Sequence, residues 1–326
     1  MLDFDKGKEQ FNRYLGAERK TTVLLDGSLY MLKYPDPIRS TKLRDDLSYK
    51  NNQFSEHIGC CIFSACGIDA QETNLGFFTD KDGKKKLVVG CKDFTQNGGT
   101  LYEMAKLANQ TMVNDARPTL SIESVYSIIE KSELIENKQE ILSGFWDMFV
   151  IDALIGNSDR HLGNWGLLVE GDAVKFAPVY DCGSSLGALL DDETMENILR
   201  VPNLLKNEEF NVKSCYSLDG KRIFYHEIFR NPPEGLREAL IRVTPRINKQ
   251  KILAIINSAP EMSLIRKEYL ATALALRLDE ILLPAHRSLE RPSLRATLKA
   301  NAEKSKAQFE NGTPPQTRKS RGEIER

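Results

Sequence analysis

A short polar loop holds the residues whose types and spacing point most directly to chemistry. It reads Gly156-Asn-Ser-Asp-Arg-His-Leu-Gly-Asn164, and it places Asp159 and Asn164 five residues apart. Asp181 follows 22 residues after Asp159, within Pro178-Val-Tyr-Asp-Cys-Gly183. An acid, an amide and a second acid in this order form the set that phosphoryl transfer requires.

Each of these three residues has a role that its chemistry suits. Mg²⁺ takes a few hard oxygen ligands together with phosphate oxygens and water, which the Asp181 carboxylate and the Asn164 amide oxygen can supply. Asp159 is then free to hold an acceptor hydroxyl and take its proton. The Asp-x4-Asn spacing equals that of a protein-kinase catalytic loop, and an Asp-x-Gly follows it. We expect Gly183 to let the backbone turn sharply beside the metal.

Two further parts of a nucleotide site are predicted upstream of this loop. Lys33 ends a predicted strand, where its ammonium can point at phosphates, and Glu56 lies near the start of the following predicted helix, from which it can pair with Lys33. The turn Leu15-Gly-Ala-Glu-Arg-Lys20 offers Gly16 for close approach of the backbone to phosphates and Lys20 for charge.

An adenine ring is expected at the junction between the β-rich and the helical parts of the chain. The strand-like run Leu87 to Gly90 leads into Cys91-Lys92-Asp93-Phe94 at this boundary. Small-molecule sites occur preferentially where two such parts meet.

The N-terminal part of the chain is predicted to be β-rich with one helix. Thr21 to Lys33 reads as two β-rich segments around Asp26-Gly27, a pair that favours a type I′ turn. Apolar residues at helical spacing predict a helix from about Tyr49 to Cys66. A second hairpin is predicted from Leu75 to Phe78 and from Lys86 to Cys91.

Beyond Gly98-Gly99 the chain is predicted to be mainly helical. Apolar residues recur at helical spacing in four segments, Ser121 to Glu130, Ile141 to Ile155, Lys249 to Ile256 and Met262 to Leu283. Two strand-like runs around Gly171-Asp172 interrupt them. These changes of character predict a β-rich nucleotide-binding lobe over 1–97, a helical catalytic lobe over 98–290, and a disordered, basic and polar tail over 291–326.

Composition excludes several other classes of protein. The 326 residues carry 45 basic and 46 acidic side chains, so the overall charge favours neither DNA binding nor adhesion to an anionic membrane. No apolar run is long enough for a membrane span, and the first residues do not resemble a signal peptide. The six cysteines form no CxxC pair, so we expect reduced, buried thiols in a cytoplasmic type of protein.

Several motifs together resemble one known family. NSDRHLGN, PVYDCGSSL, LGAERKTTVLL and YMLKYP are similar to the motifs of HipA-type serine/threonine kinases. With FWDMF before the loop and CKDF at the junction, the resemblance is strongest to the small, stand-alone, cell-translocating branch of that family. It spans about residues 11 to 285 and is most specific over 157–183.

The resemblance implies a fold and an activity. The fold is α+β and bilobal, like that of protein kinases, with a β-rich N-lobe that holds one helix and a mainly helical C-lobe. The activity is transfer of the γ-phosphoryl group of ATP to Ser or Thr hydroxyls of a protein, and of the kinase itself, with Mg²⁺. A bacterial effector or toxin, delivered into another cell by a signal-independent route, would fit the branch; this delivery stays open.

The resemblance also assigns residues. Asp159 matches the catalytic base, and Asn164 and Asp181 match the magnesium ligands. Nucleotide contacts are implied for Lys33 and His161, as well as for the remaining matched positions, Gly16, Ala17, Lys20, Cys91, Lys92, Phe94, Asn164, Tyr180 and Asp181. The ring of His161 could instead brace its own loop.

The chain departs from HipA toxins in two respects. Those toxins autophosphorylate a serine in the phosphate turn, whereas the corresponding stretch here is Arg13-Tyr14-Leu15-Gly16, so that inhibition cannot be carried over. Only about ten residues precede the turn, so we expect neither the extra N-terminal domain of larger HipA toxins nor pairing with a DNA-binding antitoxin.

Two other functions stay open on the residues alone. Phosphoinositide kinases also use an Asp-Arg-His…Asn loop followed by Asp-x-Gly, although the chain has no basic amphipathic helix suited to a lipid surface. A nucleotide-binding, toxin-like module without turnover is the second alternative, and the retained base Asp159 argues against it.

Overall fold

A sheet of six strands occupies the N-terminal part of the chain. The computed structural model describes residues 1–11, 20–35, 52–111 and 120–290. In this part of the chain the strands are β1 (Leu2–Asp3), β2 (Lys8–Gln10), β3 (Lys20–Leu25), β4 (Ser28–Lys33), β5 (Thr73–Thr79) and β6 (Lys85–Lys92). Their order across the sheet is β1-β5-β6-β4-β3-β2, and neighbours are antiparallel except for β1 and β5.

Both predicted hairpins are confirmed. Asp26 and Gly27 have φ angles of 49° and 78°, as a type I′ turn requires, and the register of β3 and β4 sets Lys20 opposite Lys33. The second hairpin joins β5 and β6. Strands β1 and β2 were not predicted, because two or three residues are too few to show an alternating pattern.

Helix α1 (Asn52–Ala65) packs against β5 and β6. It confirms the predicted helix from residue 52 onward, and residues 49–51 lie outside the described ranges. The helix also comes very close to the segment after Asp181, because a Cβ atom added to Gly59 would lie 2.6 Å from Cys182 Cβ. Glycine at 59 therefore allows α1 and this segment to meet.

Helices dominate the rest of the described chain. They are α2 (Met104–Thr111), α3 (Ile122–Lys131), α4 (Lys138–Ile155), α5 (Asp192–Arg200), α6 (Leu204–Phe210), α7 (Tyr225–Ile228), α8 (Glu234–Val243), α9 (Lys249–Ser258), α10 (Leu264–Arg277) and α11 (Leu283–Glu290). Helix α4 is buried on most sides, and Phe145, Trp146 and Phe149 on it join Trp165 in an aromatic core. The predicted helices at α3, α4 and α9 are confirmed.

The predicted helix over 262–283 needs a correction. Helix α10 ends at Arg277, and a π-helical turn, Leu278–Leu282, separates it from α11. Periodicity of apolar residues cannot resolve such a turn, since one added residue shifts the pattern only slightly.

Two small sheets accompany the helices. Strands β8 (Gly166–Glu170) and β9 (Ala173–Phe176) are the predicted pair around Gly171, and β7 (Thr100–Glu103) adds to β8 from a distant part of the sequence. The other sheet pairs β10 (Lys213–Leu218) with β11 (Lys221–Phe224). We did not predict β7, because its partner lies more than 60 residues away along the chain.

The predicted α+β class is confirmed, with the β-rich part first and the helical part second. Residues Met1–His286 make up one compact unit. The division at 97/98 stays a prediction, and the predicted tail over 291–326 lies outside the described residues. In the described ranges, none of the helices combines the length and the apolar character that a membrane span requires. All six cysteines are free, four of them buried and two, Cys61 and Cys215, half-buried.

Candidate active site

The polar loop begins at Gly156, directly after the last residue of helix α4. Gly156 caps the helix with a φ of 67°, a left-handed conformation that glycine adopts at little cost. The Asn157 side chain then organises the next turn. Its Oδ1 accepts a hydrogen bond from the backbone N–H of Asp159 at 3.1 Å, and its Nδ2 donates to the Asp152 carboxylate at 3.0 Å.

Asp159 lies half-buried at the mouth of this loop. Burial raises the pKa of its carboxyl, and the negative charge of Asp181 acts in the same direction, against the opposing effects of His161, Ser184 and Arg160. The Ser184 hydroxyl lies 3.5 Å from Asp159 Oδ2. A carboxylate with a raised pKa close to Asp181 is chemically suited to accept a proton from a hydroxyl group.

Asn164 closes the loop and keeps one oxygen available. Its backbone N–H donates to His161 O at 2.9 Å, and its side-chain Nδ2 donates to Asp159 O at 2.8 Å. These bonds orient the amide so that Oδ1 accepts no hydrogen bond from the described residues. The side chain is buried, with 8% of its surface exposed.

Helix α1 holds the segment that carries Asp181. The backbone N–H of Asp181 donates to Glu56 Oε1 at 3.1 Å, and the Ser55 hydroxyl donates to Ser185 O at 2.8 Å. Asp181 itself has a φ of 58°, an unusual conformation for a residue with a side chain. Glu56 thus stabilises a strained backbone at the predicted metal ligand.

The role predicted for Gly183 needs a correction. The sharp turn is made at Asp181, and Gly183 is not among the residues with a positive φ. A Cβ atom added to Gly183 would lie 3.3 Å from Glu56 Oε2, which is tight. The glycine therefore makes room for the Glu56 carboxylate.

Lys33, Glu56 and Asp181 form one charged cluster, in which Lys33 and Glu56 are buried and Asp181 is partly exposed. Lys33 Nζ donates to Asp181 Oδ1 at 2.9 Å and lies 3.1 Å from Glu56 Oε2. Burial lowers the pKa of Lys33, but the two carboxylates outweigh it and hold that pKa well above its usual value. Burial likewise raises the pKa of Asp181, and the charge of Lys33 outweighs it, so the pKa of Asp181 is lowered. The Lys33 ammonium and the Asp181 carboxylate are therefore charged.

Of the predicted phosphate turn, the structure describes only the last residue. Lys20 begins β3 opposite Lys33, and its charge contributes to the lowered pKa of Asp181. Gly16 and Ala17 lie outside the described residues. Lys20 is thus brought to the same cluster as Lys33.

The predicted hinge residues differ in their surroundings. The buried Cys91 faces the charged cluster, with Sγ 3.9 Å from Glu56 Oε1. Both backbone polar groups of Lys92 are already bonded within the protein, its N–H to Glu72 O at 2.8 Å and its carbonyl to Gln71 Nε2 at 3.0 Å. A nucleotide contact from either residue stays a prediction.

Phe94 and Tyr180 lie side by side near the loop. Their ring centroids are 6.1 Å apart, and the Tyr180 hydroxyl donates to Gly163 O at 3.2 Å. His161 accepts a hydrogen bond at Nδ1 from the Gly163 N–H at 3.0 Å, so its ring braces the loop. The nucleotide contacts of all three residues stay predictions.

Sequence reasoning missed Arg160 and Asp152, which form a buried ion pair behind the loop. Arg160 Nε lies 2.9 Å from Asp152 Oδ2, and both side chains are almost fully buried. An acid within the apolar run Phe149 to Ile155 was the available signal, since a buried carboxylate requires a partner.

The donor set fits Mg²⁺. Asp181 presents a charged carboxylate with 38% of its side-chain surface exposed, and Asn164 presents an amide oxygen without a hydrogen-bond donor among the described residues. Magnesium favours hard oxygen ligands of this kind, few in number, and completes its shell with phosphate oxygens and water.

Comparison with known proteins identifies related chains. The family model described as HipA-like C-terminal domain matches residues 14–213. The serine/threonine-protein kinase CtkA of Helicobacter pylori (strain J99) is 36% identical over 274 residues, which is 82% of this chain and 81% of that protein.

Solved structures show the same relationship. The crystal structure of the Helicobacter pylori proinflammatory kinase CtkA is similar with a TM-score of 0.81 and 34% identity, over 90% of this chain and 99% of that one. HipA of Shewanella oneidensis MR-1, solved with HipB and operator DNA, gives a TM-score of 0.51 at 15% identity over 86% of this chain and 68% of that one. The second likeness concerns the fold alone. The predicted bilobal, kinase-like fold is confirmed.

Proposed function

Because the chain belongs to the family of the HipA-like C-terminal domain and is a serine/threonine protein kinase, we propose that it transfers the γ-phosphoryl group of ATP to protein hydroxyls, its own included, with Mg²⁺. One observation carries this proposal. Lys33 from β4 and Glu56 from α1 both bond to Asp181, which follows the loop of Asp159 and Asn164.

We assign the nucleotide to the space between two lobes, residues 1–97 and 98–290. The N-terminal part contributes Lys20, Lys33 and Glu56, and the C-terminal part contributes Asp159, Asn164 and Asp181. The contact of Lys33 with Asp181 joins the two parts directly, at 2.9 Å. This arrangement supports a site at the lobe boundary, with the ring of the nucleotide near Cys91 to Phe94.

The proton of the acceptor hydroxyl goes to Asp159. Its carboxylate forms a hydrogen bond with the Ser or Thr hydroxyl and accepts the proton as the oxygen attacks the terminal phosphorus. The new bond joins that oxygen to phosphorus, the bond to the bridging oxygen breaks, and ADP leaves. Burial raises the pKa of Asp159, which makes its carboxylate a stronger base than an exposed one.

Positive charge is supplied by lysines and by the metal. Lys33, with Lys20 beside it, contacts the phosphates, and Glu56 fixes the position of the Lys33 ammonium. Asn164 and Asp181 would hold Mg²⁺, which neutralises charge on the phosphate oxygens when bound. The pairing of Lys33 with Asp181 supports a site in which the phosphates bind next to both the lysine and the metal ligand.

Phosphoryl transfer by the purified protein tests this proposal. The protein is incubated with Mg²⁺ and radiolabelled ATP in the presence of generic basic proteins, and separately with phosphoinositide vesicles. We expect label on serine or threonine of the added protein or of the kinase. The Asp159→Asn variant should lose about 100-fold or more in rate while its affinity for ATP changes little.

The Asp172→Asn variant is a matched control, because Asp172 lies exposed in the turn between β8 and β9. It should transfer label at the wild-type rate. Equal labelling by wild type and Asp159→Asn would overturn the assignment of the base. Label on lipid alone would favour a phosphoinositide kinase, and ATP binding without any transfer would favour a binding module.

A further inference from the structure

Arg160 is a buried cation whose contacts reach beyond its partner carboxylate. Its side chain is 2% exposed, and its guanidinium binds Asp152 at two points, Nε to Oδ2 at 2.9 Å and Nη2 to Oδ1 at 3.0 Å. Such bidentate pairs fix the orientation of the planar guanidinium. The orientation directs the remaining nitrogen, Nη1, toward backbone carbonyls.

The Nη1 nitrogen connects the two segments that carry the predicted metal ligands. It donates to the carbonyl of Asn164 at 2.9 Å, to that of Asp181 at 3.2 Å and to that of Tyr180. Asn164 ends the polar loop, and Asp181 belongs to a segment that starts more than ten residues later. One side chain therefore holds the backbone of both ligand-bearing residues.

The Asp152 carboxylate is also connected to the base Asp159 through hydrogen bonds. Besides Arg160, it accepts a hydrogen bond from Asn157 Nδ2 at 3.0 Å, and Asn157 Oδ1 accepts one from the N–H of Asp159 at 3.1 Å. The Tyr225 hydroxyl donates to Asn157 O at 2.6 Å. Asp152 lies on α4, a largely buried helix. The base and both metal ligands thus share one anchor on this helix.

We propose that Arg160 and Asp152 are positioning residues that set the distance between the base loop and the metal-binding segment. Neither side chain touches the reacting atoms. They act through the backbone of Asn164 and Asp181 and, by way of Asn157, through that of Asp159. The inference rests on the proposed kinase function and assigns two further residues to the same site.

The Arg160→Lys substitution distinguishes a positioning role from charge pairing with Asp152 alone. A lysine keeps the positive charge beside Asp152, but a single ammonium cannot make the bidentate bond and also reach the three carbonyls. Loss of the partners that orient metal ligands typically costs 10- to 100-fold in metal affinity or activity. An ion pair that served stability alone would not change metal binding in this way.

The experiment compares Arg160→Lys with Arg242→Lys. Arg242 also binds a carboxylate on α4 bidentately, with Nε 3.2 Å from Asp147 Oδ2 and Nη2 2.5 Å from Asp147 Oδ1, but it touches neither segment of the site. Binding of a non-hydrolysable ATP analogue is measured by calorimetry with and without Mg²⁺, and kcat and KM are measured for a protein substrate.

We expect Arg160→Lys to reduce the gain in nucleotide affinity that Mg²⁺ provides by about 10-fold or more. Its kcat should fall about 100-fold, with little change in KM for the protein substrate. Arg242→Lys should keep the wild-type values of all three quantities. Equal values for the two variants would overturn the proposal.

A second variant guards against misfolding. Asp152→Leu combined with Arg160→Met replaces the ion pair by apolar groups of similar size, a change that often leaves stability intact. It should unfold cooperatively and still lose the Mg²⁺-dependent gain in affinity; a wild-type gain would overturn the proposal. The wild-type protein could also fail to transfer phosphate while the double variant still loses the Mg²⁺-dependent gain in affinity. This result would support the positioning role and reject the kinase function.

Discussion

The Glu56 side chain accepts a hydrogen bond from the backbone N–H of Asp181, 125 residues further along the chain, with 3.1 Å between Oε1 and the nitrogen. Its other oxygen lies 3.1 Å from Lys33 Nζ. One fully buried carboxylate therefore orients the lysine proposed to contact phosphate and the backbone of the proposed metal ligand.

The Glu56→Gln variant should be less stable and less active. The amide oxygen can still accept from the Asp181 N–H, but the NH₂ group then faces the Lys33 ammonium, a donor against a donor. We expect a loss of about 1–3 kcal/mol in the free energy of unfolding, measured by chemical denaturation, and a clear fall in phosphoryl transfer. The control Glu72→Gln removes a surface pair with Lys92 and should cost less than about 1 kcal/mol. Equal losses in the two variants would contradict the prediction.

The Gly59→Ala variant sets two effects against each other. Alanine within α1 gains up to about 1 kcal/mol of helix propensity. Its Cβ would lie 2.6 Å from Cys182 Cβ, and overpacking of this kind costs about 1–3 kcal/mol. We expect a net loss of stability in thermal denaturation, accompanied by reduced activity because Cys182 adjoins Asp181. The control is Ser64→Ala, at an exposed position of the same helix, which should be neutral or slightly stabilising. If Gly59→Ala proved more stable than the wild type, helix α1 and the segment that carries Cys182 could move apart.

The Asp181→Asn variant should change nucleotide affinity in opposite directions with and without metal. With Mg²⁺ the loss of a charged ligand should weaken ATP binding about 10-fold or more. Without Mg²⁺ the variant should bind ATP at least as tightly as the wild type, since it no longer repels the phosphates. Calorimetric titrations under the two conditions, with Asp172→Asn as the control, measure both effects. Weaker binding in the absence of metal would argue against a site beside Asp181.

The contribution of Asp80 to stability should depend on pH. Its carboxylate accepts hydrogen bonds from the N–H groups of Asp82 and Lys84 at 3.0 and 2.9 Å, and Lys86 lies 2.8 Å away. The hydrogen bond with Lys86 and those with the backbone lower the pKa of Asp80 to about 2. Since the unfolded pKa is about 3.9, this stabilisation is complete above that pH and is lost as the pH falls toward 2.

Asp80→Asn should therefore be less stable than the wild type at pH 7, and the difference should shrink between pH 4 and pH 2. Chemical denaturation at several pH values measures it. Asp82→Asn, an exposed substitution in the same turn, should differ little from the wild type throughout. A difference for Asp80→Asn that stays constant down to pH 2 would assign the effect to packing.

Local features of this protein follow from its amino-acid sequence alone. Asp26-Gly27 favours one turn type and so specifies the first hairpin, and the apolar residues before Gly156 specify α4. The order and spacing of Asp159, Asn164 and Asp181 indicate phosphoryl transfer, because a base and metal ligands require particular side-chain groups. These signals act within a few residues of chain, where φ, ψ and hydrogen-bond preferences operate.

Other features arise only when the chain has folded. Neither the pairing of β7 with β8 nor the bond from Asp181 to Glu56 leaves a periodic trace, since each joins residues far apart in sequence. Arg160 and Asp152 read individually as an ordinary loop residue and an ordinary helix residue. Burial makes each charge require the other, and burial is a property of the packed helices around them.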